Sequence, residues 1–181
     1  MTIYLIIPDG IEMPLDLREI EDSIEKDLGF PVRRLPIALP GERFYDAKRR
    51  QYHSTGILKE FLRNLPLDAL KAIGIVSFDL FIPILTFVFG EAQLNGRVAI
   101  VSTARLEQAF YGLPSNQPLL HRRLIKEIKH ELGHTFGLRH CAQRSCVMSL
   151  AANVSDVDIK GLTFCKACEH MLRDNRDDIP R

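Results

Sequence analysis

The chemistry in this chain is concentrated in one stretch, Lys129-His130-Glu131-Leu132-Gly133-His134-Thr135-Phe136-Gly137-Leu138-Arg139-His140. His130 and His134 are four residues apart, so on a helix they stack on one face and can reach a single tetrahedral ion. A continuing helix would carry His140 about 9 Å along the axis from His134, too far to share a metal through bonds of about 2 Å. The chain must therefore turn. Gly137 is the residue that can turn it, because glycine enters the left-handed region at a helix C-terminus without a Cβ clash. Three neutral imidazoles leave a zinc ion its full charge and a fourth position for water, whose pKa falls to about 7. Glu131, beside the first ligand, can take that water's proton as general base and return it to a leaving amine. The predicted chemistry is amide hydrolysis without a covalent intermediate.

The pattern H-E-x-x-H-x-x-G-x-x-H arises by accident in on the order of one chain in 10⁵ at average residue usage, so chance is a poor explanation for it. His53, His121 and His170 have no partner at comparable spacing and are not candidate ligands. His121 falls on the apolar side of the helix and reads as a hydrogen-bonded structural residue.

Four cysteines, Cys141, Cys146, Cys165 and Cys168, are all the chain has, and all lie in its last quarter. Two pairs of thiolates separated by a loop are the usual arrangement of a closed tetrahedral zinc site, with no position open to substrate. A second, structural zinc there would pin the segment after His140 to the C-terminal helix and so fix where His140 points. Disulfides are the competing reading. They suit an oxidising compartment, whereas Met1 to Asp9 lacks a basic start, meets a proline and an acid early, and reads as a strand rather than a signal peptide. A cytoplasmic chain with metal-bound thiolates is expected. A thioredoxin-like pair at Cys165 and Cys168 fits poorly, because that motif should follow a strand in a βαβ unit.

The elements that must hold these groups can be outlined from periodicity. Residues 2–7 read as a strand, Leu15 to Leu28 as a helix with Leu17, Ile20, Ile24 and Leu28 inward, and Pro31 to Leu39 as a second strand. Pro40 to Tyr52 reads as an exposed connection. A helix capped by Ser54 or Thr55 should run to about Asn64 with Ile57, Leu58, Phe61 and Leu62 inward. Ala72 to Phe78 is a buried strand, and Thr86 to Phe89 and Arg97 to Ser102 are two more, joined through a turn at Asn95-Gly96. Pro118 suits the first turn of a long helix ending at Phe136, whose stripe Leu120, Leu124, Ile128, Leu132 and Phe136 faces away from the ligands. Beyond Gly137 periodicity is lost until a short helix from about Cys165 to Arg173. Strands interleaved with helices make an α/β or α+β sheet layer.

Composition excludes several alternatives. With 181 residues, 46% of them apolar, the chain can bury one core. Its 24 basic and 23 acidic side chains leave a formal charge of +1, no basis for a nucleic-acid or acidic-membrane partner. The uncharged run Leu80 to Gly90 falls well short of the roughly 20 apolar residues a spanning helix needs.

The run His130 to His140, with Cys141, Cys146, Met148, Cys165 and Cys168, resembles the archaemetzincins, metzincin-type metallopeptidases with four cysteines downstream of the zinc helix. Arg50-Gln51-Tyr52-His53-Ser54, Asp79-Leu80-Phe81, Phe87 to Ala92 and Ser102 to Leu106 extend the resemblance over most of the chain. It implies an α+β fold in two lobes: an upper lobe of mixed twisted sheet and helices (about 1–137), a cleft backed by the zinc helix, and a small irregular lower lobe (about 138–181). It also implies that Met148 is the Met-turn methionine, an apolar floor beneath the histidines. A metzincin edge strand pairs with extended substrate by β-augmentation, and here its place is between Leu85 and Leu94. Some metzincins carry a tyrosine just after that methionine; Ser149 and Leu150 stand here, so its oxyanion role is unassigned. The expected protein is a monomeric peptidase of peptides or unfolded chains. The alternatives are a catalytically weak or silent zinc protein of the same fold that binds peptide or a protein partner, and a zinc-ribbon-like interaction module.

Overall fold

The computed structural model describes residues 1–9 and 16–178. In chain order the elements are β1 (Thr2–Pro8), α1 (Leu17–Leu28), β2 (Val32–Ile37), β3 (Tyr45–Asp46), β4 (Gln51–His53), α2 (Ser54–Arg63), β5 (Ala69–Val76), β6 (Leu80–Phe81), β7 (Gly90–Ala92), β8 (Val98–Ser102), α3 (Gln117–Thr135), α4 (Val154–Ile159) and α5 (Lys166–Asp177). The main sheet has the order β2-β1-β5-β8-β7, and β3-β4-β6 form a small second sheet. β1 pairs in parallel with β2 and β5, and β5 with β8; β7 alone runs antiparallel, at the edge. This is a mixed α+β architecture.

Parallel strands are buried on both faces, and the apolar alternation of this sheet shows how. Ile3, Leu5, Ile73, Ile75, Ala99 and Val101 face α1 and the Leu120–Leu124–Ile128–Leu132–Phe136 stripe of α3. Tyr4, Ile6, Ala72, Val98 and Ile100 face Ile57, Leu58 and Phe61 of α2 on the other side. Each fully buried Ile, Leu, Val or Phe among them stabilises the fold by roughly 1.5–3 kcal/mol. The sheet therefore fixes α3 along its whole length. No helix among the described residues is long and apolar enough to cross a membrane.

Several expected elements are displaced, each for a reason outside local periodicity. Pro40 to Tyr52 is not a plain connection: it holds a 3-10 turn and the β3–β4 hairpin. Gln51 is buried there because its amide has distant partners, Asp79 and the Thr86 carbonyl. The strand expected at Thr86 to Phe89 lies instead at Gly90–Ala92, where the Asn95-Gly96 turn sets the pairing of Gly90 with Val101. Ser54 and Thr55 begin α2 without capping it; their hydroxyls donate to Glu91 across the cleft wall. Leu62 is 37% exposed rather than inward. The start expected at Leu15 lies outside the described residues, and α1 begins at Leu17, capped by Asp16.

Below Gly137 the chain gains α4, which an Asn153/Asp156 capping box starts. The segment around it is fastened to α3 by charged side chains that are themselves buried. Arg123 grips Asp158 with two bonds of 2.7 Å, Lys126 donates to the Val157 and Asp158 carbonyls, and Lys129 donates to the Leu162 carbonyl. Lys160 lies 2.7 Å from Glu127, the two side chains 0% and 3% exposed, and also donates to the Ser149 carbonyl. Removing one partner of so deeply buried a pair leaves an uncompensated charge, at a typical cost of about 3–5 kcal/mol. Lys160→Met should therefore destabilise by about that amount in urea unfolding, and Glu127→Leu/Lys160→Met should recover most of it. A single variant as stable as the double one would contradict the pair's role.

Candidate metal centre

α3 delivers His130 and His134 and then stops abruptly. Gly137 sits at φ +89°. Its N–H donates to the His134 carbonyl and that of Leu138 to the Gly133 carbonyl, the paired bonds of a Schellman ending. The last carbonyls of a helix need partners, and here they are provided from three directions. The Asn95 N–H donates to His134, the Lys71 ammonium to Thr135, and the Asn175 amide to Phe136, at 2.9, 2.7 and 2.7 Å. Burial pushes Lys71 down to about 8. Held this way, the chain doubles back and returns His140 to the other two histidines, with ring centroids 5.3 Å from His130 and 4.9 Å from His134.

One ring nitrogen from each of the three histidines lies within 4.8 Å of the others. The Nδ1 of His130 faces the Val147 carbonyl at 2.9 Å and that of His134 the Leu138 carbonyl at 2.7 Å. A carbonyl only accepts, so both Nδ1 atoms carry the proton and both Nε2 atoms present lone pairs. Those two Nε2 atoms face one another at 3.1 Å. Two acceptors at that distance repel unless a cation lies between them, and tetrahedral nitrogen ligands about 2 Å from one ion sit at about this spacing. The donor set and its geometry thus fit a zinc-type ion. Burial lowers the pKa of all three imidazoles, His130 most, with the Lys160 ammonium adding to the effect, so their lone pairs are free at neutral pH.

Glu131 lines the same cavity of about 830 Å³, which the histidines floor, β7 and the segment Ile82–Phe89 roof, and Leu150–Ala152 border below. Burial raises its carboxyl well above the ordinary range, the Glu127 and Glu91 carboxylates raise it further, and Lys160 opposes them. Arg139 also borders the cavity. Met148, fully buried, packs its sulfur against Gly133 of α3, where an added Cβ would stand 2.5 Å from it.

The four cysteines converge on one another, unbonded, with every sulfur within 4.8 Å of the rest. Cys141 and Cys165 sulfurs are 3.8 Å apart, the spacing of tetrahedral thiolates around an ion at about 2.3 Å. The Gln143 and Cys165 N–H groups donate to the sulfurs of Cys141 and Cys146. Hydrogen bonding, led by the Cys168 backbone, lowers Cys165 to about 7, while burial raises Cys146 and Cys168. His53, His121 and His170 lie apart from both clusters; His121 approaches Glu19 and His170 pairs with Asp174.

Residues 19–174 match the family model described as Peptidase family M54. The chain belongs to that family, the archaemetzincins. It is 48% identical over 186 residues to the archaemetzincin of Thermococcus kodakarensis, covering 99% of this chain and 100% of that protein. The crystal structure of archaemetzincin from Methanopyrus kandleri superposes with a TM-score of 0.85 at 38% identity, covering 98% of this chain and 96% of that one. A zinc-dependent peptidase from Methanocorpusculum labreanum superposes at 0.82 with 31% identity, covering 94% and 99%. Membership makes this archaemetzincin-family chain a metallopeptidase.

Periodicity and motif spacing leave two contributors to the site unmarked. One is Glu91, whose carboxylate receives the Ser54 and Thr55 hydroxyls at the start of α2 and so ties the edge strand to the helix behind it. The other is Gly90. A Cβ there would stand 2.7 Å from Glu131 Cγ and Oε1 and from the Ile100 carbonyl. The edge strand can cross the carboxylate at close range only because Gly90 has no side chain. Gly90→Ala should therefore displace Glu131 and cut peptidase turnover by about tenfold or more, with metal content unchanged. Full activity in that variant would show that the carboxylate's place does not depend on the strand.

Proposed function

We propose that this archaemetzincin-family chain is a zinc-dependent peptidase of the metzincin type, with His130, His134 and His140 holding a catalytic zinc and Cys141, Cys146, Cys165 and Cys168 a structural one. The reading is carried by one observation: Glu131 and the three histidines share the floor of a single cavity under an edge strand. Zinc bound there would supply Lewis-acid activation of water and polarisation of the scissile carbonyl.

Glu131 is the general base that takes a proton from the attacking water and passes it to the leaving amine. Among the described residues β7 pairs with β8 only, and its open edge offers backbone groups to an extended peptide. Backbone pairing recognises peptide with little demand on sequence, and the apolar roof and border take its side chains. Gly137 sets the return of His140, and Met148 supports the histidine pair from below. We read the chain as one catalytic domain, with an upper lobe of about residues 1–137 and a lower lobe from 138 onward. A four-cysteine metal site in place of disulfides is what a reducing compartment favours, which supports residence in the cytoplasm, and the formal charge of +1 gives no basis for a nucleic-acid partner.

Two measurements test this. Metal analysis should return two zinc ions per chain; one alone contradicts the cysteine site. Glu131→Ala should keep both ions and lose about 10²–10⁴-fold in kcat on a quenched peptide library. Equal turnover by variant and parent overturns the general-base role.

A further inference from the structure

The roof of the cavity, Ile82–Phe89, has almost no regular pairing of its own. Its backbone bonds are a turn from Leu85 to Ile82, a bridge from Val88 to Leu80, and one bond from Ser102 to Phe89. It carries Pro83 and exposes Ile84 (85%) and Leu85 (49%). A segment of this kind would ordinarily be mobile, yet it forms the wall that an extended substrate must lie against.

Its carbonyls are held from behind by side chains of the β3–β4 hairpin. Arg49 Nη1 donates to the Leu85 carbonyl at 3.0 Å and Nη2 to the Pro83 carbonyl at 3.5 Å, with the guanidinium 4.6 Å over the Phe81 ring. Gln51 Nε2 donates to the Thr86 carbonyl at 2.9 Å and to Asp79 at 2.8 Å. Asp79 is locked in turn by two 2.7 Å bonds from Arg105, whose guanidinium lies 4.1 Å over the ring of roof residue Phe87. The hairpin that presents Arg49 and Gln51 is itself tightly specified. Asp46 accepts from the Lys48 and Arg49 N–H groups, and Arg50 takes the left-handed conformation, φ 57°, that glycine usually fills.

We propose that Arg49 and Gln51 are positioning residues for substrate: by holding the Pro83, Leu85 and Thr86 carbonyls, they fix the roof segment in line with the free edge of β7, so that a peptide meets a preformed wall. The inference rests on the reading that peptide lies along β7. Neither side chain lines the cavity, so neither touches the reacting atoms. Preorganisation of this sort appears in affinity, since a loose roof must be ordered each time a peptide binds.

The test uses the zinc-loaded full chain and a quenched peptide long enough to span the cleft. Arg49→Ala and Gln51→Ala should each raise KM by about 3- to 10-fold, the worth of one or two lost hydrogen bonds, while kcat and zinc content stay within about twofold of the parent. Arg49→Lys, which restores one donor and the cation over Phe81, should recover much of the loss. The peptide Kd is measured in parallel by fluorescence anisotropy in a Glu131→Ala background. This second readout does not depend on turnover, so failure of the catalytic reading would leave the comparison intact. KM and Kd within twofold of the parent in both alanine variants, or a fall in kcat at constant KM, would overturn the proposal.

Discussion

A helix that ends inside a protein leaves carbonyl groups that must be satisfied, and the way α3 satisfies its own decides where the third histidine goes. Gly137 reverses the chain, and Lys71 from β5, Asn95 from the β7–β8 turn and Asn175 from α5 take the carbonyls of the last turn. These three donors come from parts of the chain far apart in sequence. The centre is therefore not a local motif resting on a scaffold. It is built where sheet, edge turn and C-terminal helix all meet the same helix end.

The same helix also organises what lies beneath. Its charged residues Arg123, Lys126, Glu127 and Lys129 are buried, and the irregular lower segment uses them as anchors through Asp158, Val157, Lys160 and Leu162, while Lys129 also pairs with Asp27 of α1. A buried ion pair contributes little net stability compared with apolar packing, yet it punishes any other arrangement of its partners. That asymmetry suits a region with little apolar core of its own. Lys160 illustrates the economy: it neutralises Glu127, binds the carbonyl next to Met148, and lowers the pKa of all three histidines. Structure and electrostatics of the site share one side chain.

The convergence of the three histidines, the turn at Gly137 and the grouping of the four cysteines are legible because each depends on short-range spacing. The main strands and the apolar stripe of α3 were legible for the same reason, since burial on a sheet or helix face imposes a period. What escaped depends on distant partners. Gln51 looks like a loop residue until Asp79 and Thr86 are placed beside it. Arg123, Lys126 and Lys129 look like a solvated face until the segment 157–162 covers them. Gly90 looks like an ordinary glycine in an edge strand until Glu131 is seen to need its missing Cβ. The Asn153/Asp156 capping box is a different case, because its signal is local: an N-cap asparagine and an acid three residues on that reaches back to it.

The central claim is that three imidazoles, brought together by the reversal at Gly137, bind one zinc, and that the four thiolates bind another. Anomalous scattering at the zinc edge from crystals of the zinc-loaded protein tests it most directly. Two peaks are predicted, one about 2 Å from the Nε2 atoms of His130 and His134 and from a ring nitrogen of His140, the other about 2.3 Å from the four sulfurs. A first peak that leaves His140 uncoordinated, or no peak between the histidines, would contradict it.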